Sequence, residues 1–256
     1  MKWNAELYDS THGPQCGAGL ELIRMASVRT SDDVLDVGCG TGTLTRELAR
    51  KASSGMVMGI DPSREMFNLA RKSTISCSNI AFMNIAAEEM DFREEFDLVF
   101  SNSAFQWIRD QERVVGKSFR ALRDGGRLAV QMPAKDFCWA LTDNMNSAIS
   151  MLGIERKFRN MESPWRFPVK GEMAGFMDNA GFGKVEVFYK DYTVAFENIN
   201  DVLAWAASAG LRPYLARLSE KSQERLKYAF AMGFENYRTD KGIEFGFRRL
   251  FALGEK

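Results

Sequence analysis

The chain has no excess of either charge. Lysine plus arginine and aspartate plus glutamate each number 34, so the formal net charge is zero. The basic surplus that tight binding to a phosphate backbone calls for is missing, which argues against nucleic acid as the main partner. The four cysteines, Cys16, Cys39, Cys77 and Cys138, stand far apart with no C-x-x-C pair. That spacing argues against a zinc site or a disulfide framework and suits reduced thiols. No apolar run approaches membrane-spanning length, and the opening "MKWNAELYDSTHGPQ" has no apolar signal segment, so a membrane partner is not expected and the cytoplasm is the expected location. Histidine is nearly absent: His12 stands alone.

What is present is an ordinary globular composition, 45% hydrophobic and 27% charged over 256 residues. That is enough chain for one α/β domain with an insertion. From residue 33 to about 132, short β-branched runs alternate with helical stretches: "VLDVG", "LTRELARK", "MVMGID", "REMFNLARKS", "IAFMNIA", "FDLVFSNS", "QERVVGKSFRAL" and "RLAVQMP". This is βαβ grammar, with "RDGG" expected as the turn before the fifth strand. A helix, a loop around "SPWRFPV" and a second helix capped by Gly181 come next. "KVEVFYKDYTV" and "GFRRLFALGE" alternate as strands around a helical stretch at 198–237 that Pro213 interrupts. The expected fold is a doubly wound α/β sheet with an inserted helical cap, its ligand at the carboxyl ends of strands one and four. On the last strand, Arg248 and Arg249 face opposite sides, and at least one is expected in solvent.

The stretch with chemical content is "VLDVGCGTGTL" at 34–44. A dinucleotide site uses G-x-G-x-x-G, with the third glycine packing helix against strand. Here Gly38, Gly40 and Gly42 give G-x-G-x-G, and Thr43 stands where that third glycine would fall. The backbone still approaches a ligand closely. Asp36, just before the turn, is unfavourable beside a pyrophosphate but favourable beside an ammonium or sulfonium. Asp61, at the end of the second strand, can accept hydrogen bonds from both ribose hydroxyls.

Asp36, the glycine series and Asp61 together resemble the first motifs of class I S-adenosylmethionine-dependent methyltransferases. "WNAELYDSTHGPQ", "FSNSAFQWIRD", "AVQMP" and "AGLRPYL" narrow the resemblance to the trans-aconitate methyltransferases and related carboxylate O-methyltransferases. The resemblance covers nearly the whole chain. It implies a Rossmann-like sheet of seven strands, mostly parallel with the last antiparallel. It also implies an N-terminal helical segment, 1–30, over the active site, and a methyltransferase domain, 31–256, with its cap at about 192–240. The implied cofactor is S-adenosylmethionine, leaving as S-adenosylhomocysteine. Tyr8 and Gln15 would lie over its methionine end, with Asp36, Gly38, Cys39, Gly40 and Gly42 forming the turn. Asp61 and Pro62 would hold the ribose, Met66 would pack on the adenine, Ala87 and Glu88 would flank the ring, and Asn102 would close the strand-four side. One position departs: many relatives carry an aspartate where this chain has Ala86, which leaves the ring edge to backbone groups or to Glu88 or Glu89.

An acceptor carboxylate is ionised at pH 7 and needs no general base, in keeping with the scarcity of histidine, and no metal is required. Gln106 and Trp107, after strand four, are the catalytic candidates, able to orient a carboxylate oxygen; Trp107 as a plain core residue is the alternative. Arg212 can grip a second carboxylate bidentately, with Tyr214 beside it, or stand in solvent at a helix end. His12 and Trp165 complete the substrate-side candidates, each with a packing or surface role as its alternative. A small-molecule acid is the expected partner; the oligomeric state is open, and a monomer is compatible. Two rivals stand beside this reading: an acceptor that is a protein side chain or a carrier-protein-bound acid, and a non-catalytic cofactor-binding module.

Overall fold

The computed structural model describes residues 13–208 and 210–256. Helix α1 (Gly13–Met25) leads into the sheet, whose parallel strands are β1 (Val34–Val37), β2 (Val57–Ile60), β3 (Ile80–Met83), β4 (Phe96–Asn102) and β5 (Leu122–Pro133). Between them lie α2 (Thr43–Lys51), α3 (Arg64–Ser73) and α4 (Gln111–Ala121). Then come α5 (Trp139–Met151), α6 (Lys170–Ala180), β6 (Gly183–Phe196), α7 (Ile199–Ser208), α8 (Arg212–Leu215), α9 (Glu220–Met232), β7 (Arg238–Thr239) and β8 (Gly242–Glu255). Sheet order is β3-β2-β1-β4-β5-β8-β6, with the two-residue β7 paired to β8. β8 runs antiparallel to both its neighbours. The expected doubly wound α/β sheet is therefore present, and the short β7 makes eight strands among the described residues.

Local chemistry explains the element ends. β1 is buried along its whole length, Asp36 included, as a central parallel strand covered on both faces is. Ser63 caps α3 by accepting the Met66 N–H at 3.2 Å, and Asp110 caps α4 by accepting the Arg113 N–H at 3.1 Å. Gly181 ends α6 in the left-handed region. The "RDGG" stretch forms an outward bulge within β5: Leu122 pairs with Phe96, Arg127 already pairs with Leu98, and Gly125 has φ +75°. Pro213 falls in the first turn of α8, where its missing N–H costs nothing.

Three apolar clusters hold the molecule together. One face of the sheet packs Val99, Val130 and Leu250 against α4 and α6 through Val114, Val115 and Met173. The other packs Val34, Phe100 and Phe251 against α1 and α2 through Leu22 and Leu48. The third lies beyond the sheet's carboxyl ends, where α5, α7 and α9 pack on the far half of the β6–β8 ribbon through Ile149, Trp205, Phe230 and Phe245. This cap roofs the end of the sheet where β1 and β4 lie side by side, the point at which chain order reverses.

A single side chain closes the far end of α2. The Asn79 amide donates to the carbonyls of Ala49, Ala52 and Gly55 at 3.0, 3.0 and 3.1 Å, satisfying helix-end acceptors that would otherwise be orphaned. Asn79→Ala is expected to lower unfolding stability by about 1–2 kcal/mol, read as a lower urea midpoint with an unchanged slope.

Candidate functional site

The site begins where β1 ends. Gly38 (φ +77°) and Gly40 (φ +56°) turn the chain sharply, and the N–H groups of Gly38 and Cys39 both donate to the Ile60 carbonyl, at 2.8 and 3.0 Å. The two glycines serve different ends. A Cβ on Gly38 would stand 2.2 Å from the Cβ of Ala104, so this glycine lets the β1 turn touch the exit of β4. A Cβ on Gly40 would meet nothing within 4 Å; it borders the cavity, where backbone can approach a ligand. Gly42, also left-handed, precedes α2 and lies against Ala70 of α3.

Two carboxylates flank this turn. Asp61 Oδ2 accepts the Gly40 N–H at 3.0 Å and Oδ1 accepts the Ser63 N–H at 2.8 Å, so each oxygen keeps a lone pair. Asp61 borders the cavity, and burial raises its pKa against the pull of those two N–H groups. Asp36 is 2% exposed and accepts the Thr45 hydroxyl at 2.7 Å. Burial pushes its pKa up to about 7, helped by the charge of Asp61 and opposed by Thr45. The Cys39 thiol, buried beside both acids, is held well above its ordinary range. Asp61, desolvated and bordering the cavity, makes this part of it receptive to a cation, with Asp36 buried behind it.

The remaining expected cofactor residues gather unequally. Met66 is buried and borders the cavity, as do Gln15 and Asn102. Gln15 on α1 joins three parts of the molecule: its Oε1 accepts the Trp205 indole N–H at 3.1 Å, and its backbone carbonyl accepts from the Asn102 amide at 3.3 Å. The Asn102 Oδ1 is buried without a hydrogen-bond partner among the described residues. Asp36, Cys39, Gly42, exposed Pro62, Ala87 and Glu88 are not among the described residues that border the cavity. Ala87 and Glu88 form a short 3-10 turn, in which the Glu89 carboxylate accepts the Ala86 N–H at 3.0 Å. Tyr8 and His12 lie outside the described residues.

Past Asn102 the cavity opens toward the cap, with a volume of about 360 Å³ for the whole. Ser103 takes φ +55° and donates its N–H to the Gln131 carbonyl at 2.8 Å. The 3-10 turn Phe105–Trp107 follows, and the Gln106 amide donates to the Ser103 carbonyl at 2.7 Å. Trp107 meets Trp165 edge-on at 5.6 Å. The "SPWRFP" loop is stitched to this turn: the Arg166 N–H donates to the Gln106 carbonyl at 2.8 Å, and the Gln111 amide bridges the carbonyls of Phe105 and Arg166 at 2.8 and 3.0 Å. Gln106, Trp107, Trp165 and Tyr214 all border the cavity. Arg212 lies next to Leu211 and two residues from Tyr214, which border it, but is not itself a bordering residue. Burial lowers its pKa while the charge of Glu65 opposes that shift.

One residue at the site was not singled out from the sequence as a candidate. Arg249 is 1% exposed, borders the cavity, and donates through Nη2 to the Gln131 Oε1 at 2.8 Å and to the Ser103 hydroxyl. Arg248 faces the other way, paired with Asp191 at 2.6 Å. The alternation of "FRRLF" had separated the two arginines; which one lies inward depends on the pairing of Arg249 with Pro133, at the carboxyl end of β5. Among the described residues, no cluster of three or more His, Cys, Asp or Glu side chains could hold a metal ion, and no helix is long and apolar enough to cross a membrane.

The chain is similar to known methyltransferases. Residues 34–126 match a family model described as a methyltransferase domain. The chain is 30% identical over 262 residues to a trans-aconitate 2-methyltransferase of Deinococcus radiodurans, covering 100% of this chain and 99% of that one. It is 25% identical over 270 residues to a protein of the same name from Variovorax paradoxus, covering 100% and 99%. Among solved structures, the YcgJ protein of Bacillus subtilis superposes with a TM-score of 0.62 at 16% identity, covering 92% of this chain and 96% of its own. A Haemonchus contortus phosphoethanolamine N-methyltransferase in complex with S-adenosylhomocysteine gives 0.61 at 18% identity, covering 94% of this chain and 52% of its own.

Two outcomes are expected from the glycine turn and its acids. Gly38→Ala forces a Cβ into Ala104 at a backbone angle that L-residues avoid, so it should abolish ligand binding or lower the melting temperature by several degrees; unchanged values of both would refute the close approach. Asp36 keeps its proton to about pH 7 when folded, whereas an unfolded aspartate loses it near pH 4. In that window the native state binds more protons, so this group makes the ligand-free protein progressively less stable from about pH 4 to about pH 7. Asp36→Asn should remove that decline, as measured by denaturation at a series of pH values.

Proposed function

We propose that this chain, which belongs to the trans-aconitate methyltransferase family of S-adenosylmethionine-dependent enzymes, forms a methyl ester on a carboxylate of a small organic acid. The carrying observation is one cavity bordered both by a partly buried acid, Asp61 near Gly40, and by a buried guanidinium, Arg249 near Ser103. When bound, S-adenosylmethionine supplies an electrophilic methyl group on a sulfonium and departs as the neutral thioether.

The chain's own residues suit that cofactor. Gly40 leaves open space, Asp61 offers a free lone pair on each oxygen to a ribose diol, and Met66 supplies an apolar wall. The Asn102 Oδ1 is a buried acceptor awaiting a donor. Asp36 and Asp61 favour a positive charge, and a bound cation would in turn favour the ionised form of Asp36. On the acceptor side, an acid is already an anion, so the protein's task is to orient it and to exclude water. Gln106 and Ser103 shape the turn that receives it, and Trp107 and Trp165 wall it off. The relatives named trans-aconitate 2-methyltransferase agree with this class of acceptor.

The test is transfer of radiolabelled methyl from S-adenosylmethionine into a panel of carboxylic acids, beside a protein extract, followed by mild base. Base-labile label on a small acid is expected. Base-stable label on protein would overturn the carboxylate reading and leave the cofactor reading intact. Separately, Asp61→Ala should weaken S-adenosylhomocysteine binding by about 1–3 kcal/mol, because a buried diol loses its acceptor. Asp61→Asn, which retains an acceptor oxygen, should lose less; titration calorimetry reads both.

A further inference from the structure

Resting on that reading of the site, we propose that Gln15 is a positioning residue: its side chain holds the Trp205 indole of the cap and so fixes the wall of the aromatic chamber, the part of the cavity beneath the cap, where an acceptor acid is aligned with the methyl donor.

The need for such a contact follows from how the molecule is built. The cap core is made by α5, α7, α9 and the far half of the β6–β8 ribbon, and none of its described residues belongs to β1, β2 or β4. The glycine turn and Asp61 belong to the other part, at the ends of β1 and β2. A donor held by one part and an acceptor walled by the other react well only when the two parts are in register; a misplacement of about 1 Å can cost about a hundredfold in rate.

Helix α1 is fixed to the sheet. Leu22 and Ile23 are buried in the apolar cluster that contains Val34, Phe100 and Phe251, and the Glu21 carboxylate accepts the Tyr192 hydroxyl at 2.5 Å. A Cβ on Gly19 would stand 2.3 Å from Leu44 Cδ1 and 3.0 Å from Asn102 Cγ, so here the helix lies directly against α2 and the end of β4. Gln15 is one helical turn earlier on the same face, and there it meets the cap. Its Oε1 accepts the Trp205 indole N–H at 3.1 Å, with both residues buried. An indole N–H can only donate, so the oxygen of Gln15 must face it. Trp205 borders the cavity and packs against three rings of the β6–β8 ribbon, Phe196 at 5.3 Å, Phe245 at 6.0 Å and Phe247 at 5.8 Å. The tether therefore acts on the ring that joins the cap core to the cavity wall.

A tether and a direct contact make different demands on Gln15. With its oxygen held by Trp205, a direct contact with bound cofactor would use the amide N–H groups and would be indifferent to the indole. A tether needs the oxygen and the indole together.

The experiment removes each partner in turn from the full chain. Gln15→Met keeps the length and loses the oxygen; Trp205→Phe keeps a ring and loses the N–H. Gln15→Met is expected to raise the KM for the panel acid that is esterified fastest, trans-aconitate being the first tried, by about tenfold, the size of one buried hydrogen bond. S-adenosylhomocysteine affinity by calorimetry should stay within about twofold of the unaltered protein. A loss of folded protein alone would lower kcat and leave KM where it was. In Trp205→Phe, adding Gln15→Met should change KM no further, because the bond is already gone. Gln15→Asn, whose oxygen falls one methylene short, should behave as Gln15→Met and replaces it if that variant does not fold. Independently of turnover, the Trp205 indole N–H, assigned by its loss in Trp205→Phe, should exchange with solvent faster in Gln15→Met, as read by NMR. Full additivity of the two substitutions, or S-adenosylhomocysteine binding weakened tenfold by Gln15→Met with KM unmoved, overturns the proposal while the ester-forming reading survives. If the unaltered protein esterifies no acid, that earlier reading fails, and indole exchange with S-adenosylhomocysteine affinity still decides the tether.

Discussion

The geometry of the cavity depends on one contact, the approach of the β1 turn to the exit of β4. Gly38 can touch Ala104 only because it has no Cβ, and Ser103 must enter the left-handed region for Ala104 to reach that point. Strain of this kind in a non-glycine residue persists only where its surroundings hold it. Here the holding groups are visible: the Ser103 N–H on Gln131, its carbonyl under the Gln106 amide, and its hydroxyl against Arg249. Three elements, β5, the turn after β4, and β8, converge on one strained residue. The same convergence brings Arg249 to the residue next to Ala104, which abuts the glycine turn.

Charge is distributed along the cavity by the same arrangement. Asp36 and Asp61 belong to β1 and the end of β2, while Arg249 belongs to β8, two strands beyond β4 in the sheet. Rigid strands keep the acids and the guanidinium apart, so they do not collapse into an ion pair. Interaction between opposite charges is stronger in a partly desolvated cavity than in water. The desolvated carboxylate of Asp61 therefore favours a cation at its side of the cavity. In the proposed reaction a sulfonium donor meets a carboxylate acceptor, and their charges cancel as the methyl moves.

The parts of this picture that are local in sequence were legible there. "VLDVGCGTG" announces a strand, a glycine turn and a helix; Asp61 ends a strand by pattern; Gly181 marks a helix end by residue type. What was not legible depends on pairing between distant strands. Alternation placed Arg248 and Arg249 on opposite faces, but only the register against β5 shows that Arg249 is the inward one. "RDGG" looked like a turn before a strand and is a bulge inside it, because Phe96 already pairs with Leu122 on its near side. The aromatic residues of the chamber come from separated stretches, 137, 165–167, 205 and 247, so no window of sequence shows them as a group. Ala87 and Glu88, named from the resemblance, sit in a turn whose capping engages Glu89.

Gln15 shows how the cap and the sheet are made to act as one site. The cap has its own apolar core, built on the far half of the β6–β8 ribbon, and that core does not depend on the strands carrying Asp36 and Asp61. A separate core leaves the relative position of cap and sheet to be set by contacts between them. Gln15 supplies two: its side chain accepts the Trp205 indole of the cap, and its backbone carbonyl accepts the Asn102 amide at the end of β4. Trp205 also packs against Phe247, the ring over which Arg249 lies. The cap-side wall of the cavity and the end of β4 are thus linked through one buried glutamine on α1. A shift of that helix would change both halves of the cavity together, so α1 is part of the cavity's construction.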